Sequence, residues 1–434
     1  MARSMLVDSL WVLGTRFVQR AANLVVLFFL ARALSLAEFG YYGYAVATLL
    51  MLSVAFDVGL RQVVAQEIGR PEADMAAVVR DTFLLWMALG LAMTCVMAGV
   101  MRLGAPPVEG AAALPAILAA LAALPTLLVR MGQGVLLGQG RVKELNASEL
   151  AGRAALLGGT ALLWSLGRLD LAAALGLLLA SSLLSAVVLG AQVCPKRPPE
   201  TPFRAAPMLP WLRRGLAFLT GTLAMIMLGR VGVWVLGGVL SAEELGLYVG
   251  AMRLAEMLAE VATAVGIVIF SHGVRQADRK AAVADAVRTA RVVTAVMALA
   301  AFVGAVCAGP LLALVLGPAY AAAAPAFRVC LIGAVAACQG LMLYPCLSAQ
   351  GKPWLGAFAF VPATLLAALL AWWLGARYGL MGAAWAFALA QIAAALGFLL
   401  LYRLRFGLPV WTSLLPQPED FAGLARFVPR AKSV

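Results

Sequence analysis

Charge is scarce in this chain. Only 12% of its 434 residues are Asp, Glu, Lys or Arg, and 64% are hydrophobic, against roughly 25% and 45–50% in soluble domains. A chain so composed cannot cover a water-facing surface, and its mean hydropathy of +0.96 says that water is not its main solvent. Histidine occurs once, as His272, which reads as an interfacial residue at the end of an apolar span. The six cysteines (Cys95, Cys194, Cys307, Cys330, Cys338 and Cys346) contain no CxxC pair. Such spacing offers neither a disulfide framework nor a metal site, and those within spans read as small packing residues. No GxxxxGK[ST] loop is present, so no built-in ATPase of that kind is expected. The run Gly132-x-Gly134-x-x-x-Gly138 closes an apolar stretch and suits close helix packing rather than a dinucleotide site. Long polar outside loops are missing as well. A membrane-bound polymerase or ligase of sugar chains would need one to carry its catalytic groups, so the chain is read as no enzyme.

What the chain does have is apolar runs of about 20 residues, enough to cross about 30 Å of hydrocarbon. Six lie near 10 to 34, 42 to 66, 77 to 102, 112 to 137, 146 to 166 and 170 to 193. Six more lie near 213 to 240, 248 to 271, 289 to 315, 327 to 348, 353 to 376 and 380 to 403. Their length and their lack of strict alternation predict helices rather than a barrel, because in lipid each segment must pair its own backbone. The expected fold is all-α and polytopic, with about twelve transmembrane helices. The first run is read as a permanent span, since Arg16 and Arg20 interrupt what would be a signal peptide's apolar region.

A short phrase is written twice, 206 positions apart: Leu34-Ser35-x-x-Glu38-Phe39-Gly40-x-Tyr42 and Leu240-Ser241-x-x-Glu244-Leu245-Gly246-x-Tyr248. Each copy closes the first apolar run of a half and leads into the second. The stretch from Cys194 through Pro210, with Lys196, Arg197 and Arg204 among its prolines, is the one long polar break. The expected organisation is an N-lobe over 1–193, a linker over 194–210, a C-lobe over 211–403 and a basic tail over 404–434. Six spans per half return each half to the same side, which makes the repeat parallel. Cationic clusters such as Arg213 and Arg214, or Arg275, Arg279 and Lys280, all fall on one side, while the other side's loops hold only Arg102, Arg168 and Arg377. By the positive-inside rule both termini are cytoplasmic, and the net charge of +13 needs no nucleic-acid partner to explain it.

Charge inside the spans is the second signal, since each such residue costs about 2.5–3.5 kcal/mol at a helix centre and tends to face protein or a water-filled cavity. Arg16, Arg20 and Asn23 share one stripe of the first span. Asp57 and Arg61 in the second, and Glu149 and Arg153 in the fifth, stand at i, i+4. That spacing suits intrahelical pairs that ease insertion, or direct contact with a substrate or ion. Arg130 and Gln133 lie on the inner part of the fourth span, where an arginine can snorkel. Arg230 sits mid-span with no acidic residue within one turn. Arg253, Glu256 and Glu260 share a face of the eighth span, and Glu256 and Glu260 are candidates to partner Arg230 or to take up a proton or Na+. Arg16, Arg20, Asn23, Arg230 and Arg253 are the expected cavity residues, and Asp57, Arg61, Glu256 and Glu260 the expected coupling-ion or ion-pair residues. Arginines from both halves favour an anionic group, phosphate or pyrophosphate first, because the guanidinium donates in pairs.

The run Phe29-Leu30-Ala31-Arg32-Ala33-Leu34-Ser35-Leu36-Ala37-Glu38-Phe39-Gly40-Tyr41-Tyr42, followed by Phe56-Asp57-Val58-Gly59-Leu60, resembles the polysaccharide transporter branch of the multidrug/oligosaccharidyl-lipid/polysaccharide (MOP) exporter superfamily, the O-antigen-type flippases. The resemblance implies two six-helix lobes around a central cavity. It implies a flippase of the bacterial inner membrane that moves an undecaprenyl-pyrophosphate-linked oligosaccharide between leaflets by alternating access. Coupling to a proton or Na+ gradient, no cofactor, and membrane lipids and polysaccharide polymerase machinery as partners are implied with it. Only Asp57, Gly59 and Leu60 match closely enough to carry over by position. The alternatives are a drug or cation antiporter and a peptidoglycan-precursor flippase. The latter carries two further spans, and the former often has an acidic residue where this chain has Arg16 and Arg20.

Overall fold

The computed structural model describes residues 19, 21–70, 74–108, 113–195, 198, 208–275 and 278–408. Arg16, Arg20, most of the 194–210 linker and the tail from 409 lie outside the described residues. Fifteen α-helices in chain order carry the fold: α1 Ala21–Ala33, α2 Leu36–Asp57, α3 Leu60–Ile68, α4 Met75–Leu103, α5 Ala113–Leu121, α6 Ala123–Gly138, α7 Val142–Ser165, α8 Leu171–Val193, α9 Met208–Leu228, α10 Val231–Leu236, α11 Ala242–Arg275, α12 Arg279–Val306, α13 Ala308–Val315, α14 Ala324–Ala349 and α15 Ala357–Phe406. Two 3₁₀ turns, Pro318–Ala323 and Pro353–Gly356, precede α14 and α15. No strand occurs among the described residues.

Among the described residues eight helical stretches are long and apolar enough to cross a membrane, or nine if α9, bent by 55° between Leu209–Leu216 and Gly221–Leu228, counts as one. One of these, Pro353–Phe406, is interrupted at Gly379 (φ 54°, ψ −133°) and supplies two of the expected spans. The other expected spans are α1, of which only the later part is described, and α7, whose first half carries Lys143, Glu144, Glu149 and Arg153. Large apolar side chains such as Leu91, Phe302, Phe358, Leu365 and Trp372 are exposed around the molecule, as lipid contact requires. Helix interfaces are built from small residues, with Ala363, Ala367, Ala371 and Gly375 forming a buried stripe on α15. The chain is a multi-pass membrane protein.

Four expected spans are broken rather than straight. The second divides into α2 and α3 at Val58 (φ 48°) and Gly59 (φ 71°), the fourth into α5 and α6 at Ala122, the seventh into α9 and α10 at Gly229 and Arg230, and the ninth into α12 and α13 at Cys307. Apolar runs report how long a segment spends in lipid, but a one-residue departure from helical φ/ψ leaves hydropathy unchanged. The breaks were therefore invisible in the periodicity.

The duplicated phrase is a pair of serine helix caps, and the first copy is a full capping box. The Glu38 amide donates to Ser35 Oγ (3.3 Å) and Glu38 Oε2 accepts from the Ser35 amide (2.9 Å), which opens α2. At α11 the Glu244 amide donates to Ser241 Oγ (3.2 Å), and that hydroxyl donates to Glu244 Oε2 (3.4 Å). The first cap satisfies two orphan amides and the second one. The two copies also meet in space. A Cβ on Gly40 would overlap the Ala242 carbonyl oxygen and lie 2.8 Å from the Gly246 nitrogen, while one on Gly246 would overlap the Leu36 carbonyl oxygen. Only glycine lets α2 and α11 approach so closely. At the other end of α2, a Cβ on Gly59 would overlap the Gly215 carbonyl oxygen of α9, and Glu67 of α3 pairs with Arg214 of α9 at 2.5 Å. Hence the halves touch at both ends of α2.

Candidate functional site

Arg230 takes its position from the break between α9 and α10. It occupies the residue before α10, with φ −129° and ψ −27°, and is not mid-helix as the sequence suggested. Its Nη1 donates to the Gly229 carbonyl (3.1 Å) and to both Glu256 oxygens (3.0 and 3.1 Å). Arg253, one turn before Glu256 on α11, donates to Glu256 Oε2 at 3.5 Å. One carboxylate thus serves two guanidinium groups. Glu260, one turn further on, lines a cavity of about 170 Å³ with Arg230, Glu256, Thr263 and Gln391. Of the two candidate partners for Arg230, Glu256 is the one that it bonds.

The first half contributes its own polar cluster. Glu149 of α7 accepts from Gln133 Nε2 of α6 (2.6 Å) and from Gln19 Nε2 (3.3 Å), while Arg153 Nη1 donates to Asn23 Oδ1 of α1 (2.7 Å). The i, i+4 acid and base of α7 therefore reach across to the polar stripe of the first span. Gln19 belongs to that stripe at i−4 from Asn23, and its spacing alone was enough to find it.

Asp57, only 3% exposed, ends α2, and its carboxylate accepts from the Arg61 amide. The i, i+4 spacing of Asp57 and Arg61 is not that of one continuous helix, since Val58 and Gly59 intervene in left-handed backbone. Arg130 of α6 also lies within electrostatic reach of Asp57, and the Arg130 Nε donates to Ser53 Oγ at 3.3 Å. Asp57 Oδ1 has no hydrogen-bond partner among the described residues.

The tyrosines that end the duplicated phrase tie these clusters together. Tyr42 lies within electrostatic reach of Arg153 from the first half and Arg253 from the second. Its counterpart Tyr248, 1% exposed, faces Glu256 and Arg230. The structure thus brings Arg230, Arg253 and Glu256 together, with Glu260 lining the same cavity, while Asn23 meets Arg153 and Asp57 and Arg61 stand at the α2–α3 break. Sequence reasoning missed Tyr42, Tyr248 and Arg153 as members of these clusters. Both tyrosines were in view as the last letter of each copy. Among the described residues no group of three or more His, Cys, Asp or Glu could hold a metal ion.

A family model described as "Polysaccharide biosynthesis protein" matches residues 29–325, more than half of the chain. The chain belongs to that family. Solved structures agree on the fold. An inward-facing multidrug resistance MATE family transporter of the MOP superfamily is 19% identical, with a TM-score of 0.68, over 90% of this chain and 94% of that one. The lipid II flippase MurJ, in an inward closed conformation, is 14% identical with a TM-score of 0.68, over 95% and 89% of the two chains. A MOP superfamily transporter from Pyrococcus furiosus, whose binding pocket is described as of reverse polarity, is 18% identical with a TM-score of 0.56, over 92% and 94%. Comparison with curated protein sequences returns no match. This family member therefore has the MOP transporter fold.

Proposed function

We propose that the protein is a flippase for an undecaprenyl-pyrophosphate-linked oligosaccharide, working by alternating access in the bacterial cytoplasmic membrane. The single observation that carries this reading is the pair of arginines, Arg230 and Arg253, that share the Glu256 carboxylate beside a cavity at the break in the seventh span. Guanidinium groups inside a membrane are costly unless they have work to do, and they match pyrophosphate oxygens bidentately.

In this reading the lobes 1–193 and 211–403, joined by the 194–210 linker, rock about the α2–α11 contact, with both termini cytoplasmic. Arg16 and Arg20 extend the cationic stripe of Asn23. Glu256 and Glu260, which line the cavity beside Arg230, are the candidates for a coupling proton or Na+. Surface-polysaccharide assembly in a strain lacking its own flippase tests the reading. Arg153→Ala, Arg230→Ala and Arg253→Ala, each at wild-type abundance, are expected to lose most of the complementation. Full complementation by all three would refute the site, and resistance to cationic drugs without any polysaccharide phenotype would replace the substrate.

A further inference from the structure

A second pocket, of about 460 Å³, opens at the end of the molecule where α1 finishes and α2 begins. Its walls come from both halves: Arg32, Ser35 and Trp164 from the first, Gly317, Pro318 and Tyr320 from the second. Phe39 stacks edge-on against Tyr320 (5.8 Å) immediately behind it, so the pocket straddles the seam.

Arg32 is its charge. The guanidinium lies over the Phe28 ring at 4.4 Å, and Nη2 donates to the Leu314 carbonyl at 2.7 Å. Among the described residues Arg32 has no carboxylate partner, and the nearest acid along α2, Glu38, already accepts from Ser35 in the capping box. One donor edge is thus spent on the protein and the rest of the fork faces the pocket. Beside it stand two exposed apolar groups: Trp164, packed on Phe29 at 5.0 Å and 42% exposed, and Leu314, whose carbonyl takes the Arg32 bond. The level is that of the headgroups, since helix ends and capping residues meet there. The counterpart of Arg32 in the second copy is Gly238, so the charge belongs to one seam alone.

We propose that this seam pocket binds the phosphate of an anionic membrane lipid, with Arg32 as counter-charge and the lipid chain lying along Trp164. A cation at the headgroup level beside exposed apolar groups matches that ligand at both ends. Because the walls come from both halves, an occupying lipid favours the closed seam, and opening this end dismantles the site. The inference is independent of the transported substrate.

Trp164 supplies the readout as the fluorescence difference between wild type and Trp164→Phe in vesicles. Chain-brominated phosphatidylglycerol is expected to quench that difference at lower mole fraction than chain-brominated phosphatidylcholine. Arg32→Gln is expected to weaken the preference roughly fivefold, the worth of one interfacial charge, and Arg32→Lys to keep much of it. Ala319→Leu fills the pocket with Arg32 intact and should abolish the preference even if Arg32→Gln does not fold. Arg328→Gln, which removes an exposed cation elsewhere, should change nothing. Relief of quenching by a few mole per cent of unbrominated undecaprenyl phosphate identifies the carrier lipid as occupant, whereas relief only at mole fractions comparable to phosphatidylglycerol identifies a phospholipid. Equal quenching by the two brominated lipids in the wild type, or the same loss in Arg328→Gln as in Arg32→Gln, overturns the proposal.

Discussion

Replacing Glu256 by glutamine leaves Arg230 and Arg253 facing each other without the carboxylate that both now touch, at 3.0–3.1 Å and 3.5 Å. The volume is unchanged, so no cavity forms and the loss is electrostatic. Breaking a fully buried ion pair costs about 3–5 kcal/mol. Here the three side chains retain 17%, 21% and 19% exposure, and that partial hydration scales the loss to roughly 1–3 kcal/mol. The assay is thermal unfolding in detergent followed by the fraction remaining monodisperse. Glu256→Gln should lower the midpoint clearly below wild type. The Arg230→Met/Glu256→Met double variant should recover part of the loss, since only Arg253 then remains uncompensated. A glutamine variant as stable as wild type, or a double variant whose loss equals the sum of its singles, would refute the shared-carboxylate reasoning.

Gly246→Ala puts a methyl against the Leu36 carbonyl and should cost about 1–3 kcal/mol by overpacking, and its relief by parting α2 and α11 should raise thiol labelling of a cysteine placed at Tyr42. Ser35→Ala and Ser241→Ala each remove one capping hydroxyl and should each cost about 1 kcal/mol, with additive effects on the unfolding midpoint because the hydroxyls serve different helices. Glu67→Arg should loosen the contact with Arg214 and raise labelling from the opposite end, and Glu67→Arg combined with Arg214→Glu should restore it. Failure of the charge swap to restore closure would mean that Gly59 and Gly215 hold that end alone.

The all-α membrane fold, the duplication and the position of nearly every span were legible along the chain. Each rests on local quantities: the length of an apolar run or a repeated phrase. The site was legible only in part. Arg230, Arg253, Glu256 and Glu260 stood out because charge in lipid is rare, and helical spacing put the last three on one face. Their bonding did not follow. Arg230 shares Glu256 with Arg253 because the chain leaves the helix at Gly229, a departure that hydropathy does not record.

Arg153 marks the boundary most clearly. The i, i+4 spacing to Glu149 is a property of one helix, and the sequence by itself determined that both side chains lie on the same face of α7. Which neighbours that face would meet depended on how α7 rotates against α1 and α6, and so on packing over separations of 130 and 16 positions. Tertiary structure alone decided that Arg153 reaches Asn23 and the neighbourhood of Tyr42, and that Gly40 rests on its own copy, Gly246. Composition selects lipid as solvent through the sum of many independent residues, whereas a contact between distant helices is a single geometric outcome of how all of them pack.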